Sequence, residues 1–220
     1  MTKIQHQDHL AALQDIRSMM QRSTRFISLS GLSGVSAGVC ALIGAAVAFY
    51  YLGKTPFAGE QLYYERLVGN PRWGINWIEF SVLAGSLVLI SAVSCAIFFT
   101  TRQARRKGQK IWDETTWRLL ANLAIPLLVG AVFCVVFYLR GDIGLVAPAT
   151  LVFYGLGLVN ASKYSLRDLK FLGLMEIGLG CIGLFFIGYG LELWTIGFGF
   201  LHIAYGLFMW WKYERTEFRE

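Results

Sequence analysis

Charge in this chain is gathered into short clusters, and between the clusters lie six apolar runs with almost no charge. They fall at 26–52, 75–100, 116–139, 144–162, 168–188 and 191–211. A hydrocarbon core roughly 30 Å thick takes about 20 helical residues to cross, and each run is of that order. An unpaired backbone amide in lipid is costly, so a spanning segment must pair its own amides as a helix or join a closed barrel. No alternating apolar–polar pattern of barrel strands appears. Only 15% of the 220 residues are charged, against about a quarter in a soluble domain. The predicted fold is therefore all-α, a multi-pass membrane protein of six helices arranged as three consecutive hairpins.

The basic residues fix an orientation. The segments before span one, between spans two and three, between four and five, and after six, with Arg118 and Lys170 at the adjoining span ends, hold sixteen of the twenty Lys and Arg. The opposite side holds Lys54, Arg66, Arg72 and Arg140. Positive residues concentrate on the cytoplasmic side, so both termini are expected there. The net charge of +6 follows from this topology and attraction to anionic headgroups, and calls for no nucleic-acid partner.

Residues 1–24 read as a separate amphipathic helix, with Ile4, Leu10, Leu13, Ile16 and Met20 at three- and four-residue intervals. No short apolar core with a small-residue cleavage site precedes them, so no cleaved signal peptide is expected. This helix and the basic loop 102–110 are the expected contacts for a cytoplasmic or membrane protein partner, and the lipid bilayer and a homo-oligomer are further expected partners. The outer segment 53–74 suggests a short helix at 60–68. Its Tyr63, Tyr64 and Trp73, with Trp77 just beyond, suit the headgroup layer. All four cysteines fall inside spans without metal-ligand spacing, and "HQDH" offers two histidines with no further ligand, so no metal and no cofactor are expected.

Three spans share a pattern. "GLSGVSAG" (31–38), "GLMEIGLG" (173–180) and "GFLHIAYG" (199–206) each read Gly-x-x-Z-x-x-x-Gly, with Z being Gly34, Glu176 and His202. On a regular helix these intervals place the glycines and Z on one face. The close-packing residues are then Gly31, Gly34, Gly38, Gly173, Gly180, Gly199 and Gly206, which let helix backbones approach. The serines of span one can bond carbonyls one turn back; the competing reading is a polar pathway lined by Ser30, Ser33 and Ser36.

Glu176 and His202 are ionisable groups inside spans, where each costs at least about 2.5 kcal/mol on insertion scales. Counted from the charged ends, they lie roughly 12 and 15 Å deep on adjacent helices. A hydrogen-bonded Glu–His pair is expected, either as a clasp fixing hairpin register or as a protonation site or ligand anchor. Asn122, Tyr154, Asn160 and Tyr205 lie in the same half and could line a vestibule with Ser30 and Ser33. "GLVNASKY" (157–164) and "GLFMWWKY" (206–213) repeat Gly-Leu-x-x-x-x-Lys-Tyr at two span ends, which suggests repeated hairpins of the same orientation.

Catalytic templates such as G-x-S-x-G, H-E-x-x-H and the phosphate-binding loop do not occur. "RFISLSGLSGVSAG", "YGLGLVNASKY" and "GFGFLHIAYGLFMWWKYE" together resemble an uncharacterised family of six-span bacterial membrane proteins. A looser architectural similarity runs to acid-resistance membrane proteins built of three hairpins. The resemblance implies the bacterial inner membrane and transfers no activity. The expected function is a non-enzymatic accessory or interaction module with a buried Glu–His pair; the alternative is a small proton-linked transporter or channel using that pair.

Overall fold

A computed structural model describes residues 30–53, 55–57, 73–106, 108 and 112–214. The expected surface helix 1–24, the short helix at 60–68 and the "HQDH" motif lie outside the described residues, as does part of the basic loop 102–110. The regular structure among the described residues is all helical, without a strand. They form α1 (Gly31–Leu52), α2 (Trp77–Arg106), α3 (Glu114–Arg140), α4 (Val146–Ala161) and α5 (Leu169–Phe185). A last continuous run contains α6 (Gly190–Trp194), a π-helical stretch (Thr195–Leu201), α7 (His202–Met209) and a terminal π-helical turn (Trp210–Glu214). Five of the six runs are long and apolar enough to cross a membrane. The sixth, α5, has 17 residues and spans about 25 Å.

Local chemistry explains the boundaries. Asn76 precedes α2 and its side-chain oxygen accepts from the amides of Ile78 and Glu79, while Glu79 reaches back to the Asn76 amide at 3.0 Å. This is a reciprocal capping box. Asp113 caps α3 by accepting from Thr116 N–H at 2.8 Å. Gly53 and Gly141 close α1 and α3 in the left-handed conformation, where a side chain would be strained.

Packing departs from a closed six-helix bundle. α2 packs on α1, α1 on the last run, the last run on α4 and α5, and α3 on α4. The interior is thus made by α1, α4, α5 and the last run, with α2 and α3 flanking it. The most apolar stretch of α2 has no buried residue, and that of α3 is 6% buried. Their long apolar side chains therefore face outward, as helices bordering lipid would.

The fifth and sixth spans are the third of the expected hairpins. They are joined by a short 3₁₀ turn (Ile187–Tyr189), yet α5 packs most extensively on α4. Small residues decide this: a Cβ on Gly155 would lie 2.5 Å from the Gly173 carbonyl, and one on Gly173 would lie 2.7 Å from the Gly155 carbonyl. The bare backbones bring α4 and α5 together more closely than side-chain packing would allow.

Candidate functional site

Glu176 is fully buried and His202 is 6% exposed. The Glu176 carboxylate lies 3.4 Å from His202 Nδ1, so the two residues meet as the span depths suggest. The hydrogen bonds, however, go elsewhere. His202 Nδ1 is 3.0 Å from the Gly197 carbonyl, and Nε2 is 2.8 Å from the Tyr154 hydroxyl. With Nδ1–H donating to Gly197 and Nε2 accepting from Tyr154, both ring nitrogens are satisfied. Neither Glu176 oxygen has a hydrogen-bond partner among the described residues. The expected hydrogen-bonded Glu–His pair is therefore corrected to a contact pair in which histidine bonds a tyrosine and a backbone carbonyl.

Three elements build this cluster. α5 supplies Glu176, α4 supplies Tyr154, and the last run supplies Gly197, Phe198 and His202. Phe198 stacks on the His202 ring with centroids 5.8 Å apart and packs on Tyr154 at 4.9 Å. Gly197 has no side chain because Glu176 and Leu151 occupy the space where a Cβ would stand. The π-helical stretch around Gly197 widens the helix by one residue per turn. Such widening recurs at functional positions.

The π-helical stretch also overturns the one-face reading of the shared pattern. Gly199 and Gly206 are turned to α1, where Leu42, Val35 and the Gly31 carbonyl would meet any added Cβ. The His202 side chain points across to α4 and α5 instead. A break in helical phase between Gly199 and His202 separates what a regular helix would have aligned. In α5, Gly173 and Gly180 pack on α4, whereas Glu176 reaches the last run.

The α1 glycines lie directly against the last run. A Cβ on Gly34 would lie 3.1 Å from Gly206 Cα and 3.3 Å from the His202 carbonyl, and one on Gly38 would lie 2.7 Å from the Gly199 carbonyl. Gly31 is held as closely by Trp210 and Gly206.

The remaining polar candidates are not drawn together. Ser33 donates to the Ser30 carbonyl at 2.5 Å and Ser36 to the Ser33 carbonyl at 3.0 Å, so these hydroxyls are used locally on α1. Asn122 donates to the Arg118 carbonyl at 2.8 Å. Asn160 accepts from Lys163 at 3.4 Å. The Tyr205 hydroxyl is buried without a hydrogen-bond partner among the described residues. The expected vestibule thus reduces to Tyr154 beside His202.

A second polar cluster closes the end where α1 begins. Asp168 accepts from Lys212 at 2.6 Å and from Tyr213 at 2.8 Å. Partial burial alone would raise the Asp168 pKa, but these donors outweigh it and hold the carboxyl below its ordinary value. Buried Glu214 accepts from the Gly31 amide at 2.5 Å and satisfies the free N-terminus of α1 across 183 positions. Glu192, at the opposite end of the last run, is also buried and accepts from Phe57 N–H at 3.3 Å. Sequence reasoning missed Glu192 and Glu214, because each lies near a span end where a carboxylate normally reads as solvated.

No family model, curated protein or solved structure matches this chain. What bears on its function is the geometry itself. Among the described residues no group of three or more His, Cys, Asp and Glu could hold a metal ion.

Proposed function

We propose that this chain is a non-enzymatic multi-pass protein of the bacterial inner membrane, an accessory or interaction module with both termini in the cytoplasm. The Glu176–His202–Tyr154 cluster serves in it as an internal clasp. The observation that carries this reading is the saturation of His202: both ring nitrogens bond protein atoms, and Phe198 covers the ring face. No valence of the imidazole is left for a ligand. The five long apolar helices and the asymmetry of basic residues support the membrane assignment, and residues 1–24 with the loop 102–110 are the proposed contacts for a protein partner.

A small proton-linked transporter is the second reading. It is favoured by one observation, the buried Glu176 carboxylate without a hydrogen-bond partner beside a π-helical stretch. Reconstituted vesicles separate the two. The clasp reading expects proton flux across vesicles containing wild type or Glu176→Gln to equal that of empty vesicles. A pH-driven flux that is present in wild type and lost in a normally folded Glu176→Gln would sink it.

A further inference from the structure

An apolar cavity of about 250 Å³ lies between α2 and the start of α4, on the far side of Trp194 from Phe198 and the Glu176 cluster. Gly44, Ala45 and Ala48 of α1 line one wall, and Trp77 and Trp194 stand at the end nearest the Gly141 and Ile187 turns. Gly85 lines the cavity and is itself exposed, so the space opens sideways between helices.

The dimensions and chemistry point to one occupant. Along α2 the lining runs from Trp77 to Val88, eleven residue-to-residue steps, or about 16 Å of helix. One leaflet of a hydrocarbon core roughly 30 Å thick is about 15 Å deep. No charged side chain lines the cavity. Of its hydroxyls, Thr150 already donates to the Ala147 carbonyl at 2.7 Å, while the buried Ser81 hydroxyl has no partner among the described residues. Ser81 lies one turn, about 6 Å, below Trp77, near the level of a phospholipid ester when the indole sits among headgroups. Gly85 points the same way. A mid-helix glycine is unfavourable by about 1 kcal/mol against alanine, and a Cβ here would meet nothing within 4 Å. Its bareness therefore serves no helix contact and keeps the groove open.

We propose that this groove is a binding site for one acyl chain of a phospholipid, drawn from the leaflet on the side of the Gly141 and Ile187 turns, with its ester carbonyl accepting from Ser81. The inference rests on the membrane reading above.

Vesicles of phosphatidylethanolamine and phosphatidylglycerol, doped with a phospholipid carrying a diazirine midway along one chain, provide the probe. The full chain is reconstituted, then irradiated either in the bilayer or after extraction into detergent, and adducts are mapped by mass spectrometry. Adducts on α1 and α2 around Ala45, Ala48 and Gly85 should survive extraction, whereas those on the outward Leu128 and Val132 of α3 should appear only in the bilayer. Gly85→Leu, which has room for its side chain, excludes roughly two methylene groups and should lower groove labelling about tenfold while leaving α3 labelling unchanged. Labelling of α3 in the bilayer without retained groove adducts in wild type would overturn the proposal and leave the membrane reading standing. So would groove labelling unchanged in a normally folded Gly85→Leu, or crosslinking from position 85 to a second copy in place of lipid. Absence of label everywhere would overturn the membrane reading along with it.

Discussion

The informative residue is His202, whose ring is held from both sides. Removing it as His202→Ala leaves the Tyr154 hydroxyl without its partner, takes the ring bond from the Gly197 carbonyl and opens a cavity beside Phe198. The expected loss is about 2–4 kcal/mol. Tyr154→Phe removes one hydroxyl and strands Nε2, and should cost about 0.5–2 kcal/mol. Thermal unfolding in detergent reads both, and equal stability of His202→Ala and wild type would contradict the clasp. Asp168 makes a separate prediction. Its folded pKa lies below the ordinary 3.8, so its contribution to stability is complete above that value and disappears as pH falls through the folded value. Asp168→Asn should therefore be less stable than wild type at neutral pH, and the difference should vanish in strong acid. A difference that persisted unchanged to the lowest pH would refute the pairing with Lys212 and Tyr213.

At the scale of elements, bare backbone decides which helices meet. α1 approaches the last run through Gly34 and Gly206, where the nearest atoms to an added Cβ are backbone and cannot swing aside. Gly34→Leu should destabilise by about 3 kcal/mol or more through overpacking. Gly178→Ala is the matched control on α5, since nothing lies within 4 Å of its Cβ, and it should be neutral or stabilising by up to about 1 kcal/mol. Chemical denaturation of the purified variants orders them, and a Gly34→Leu protein as stable as Gly178→Ala would remove the basis for this contact. Much at this scale was legible in the sequence. Apolar length located each described span to within about six residues, and the glycine pattern singled out close-packing positions on α1, α5 and the last run. Phase was not legible. The π-helical stretch at Thr195–Leu201 shifts His202 out of phase with Gly199, and no residue count reveals an extra residue in a turn. Nor could hydrogen-bond choice be read, since Tyr154 and the Gly197 carbonyl become neighbours of His202 only when three helices pack.

At the scale of the whole molecule, the described residues form four interior helical runs, α1, α4, α5 and the last, flanked by α2 and α3. Among the described residues the six runs do not contribute equally to the interior, because close glycine contacts concentrate on the four interior runs and the flanking pair keep bulky outward faces. Polar closure gathers at one end: Asp168 with Lys212 and Tyr213, and Glu214 with the start of α1. The basic clusters around Arg106 and Lys163 belong to the same end, and Asp142 lies at the other. The most direct test of a six-span protein with this polarity is labelling of single cysteines by a membrane-impermeant maleimide in intact bacterial cells without their outer membrane. Asp142→Cys should label at once, and Arg106→Cys and Lys163→Cys only after the membrane is permeabilised. Labelling of all three in intact cells, or of Asp142→Cys alone being blocked, would contradict the proposed membrane architecture.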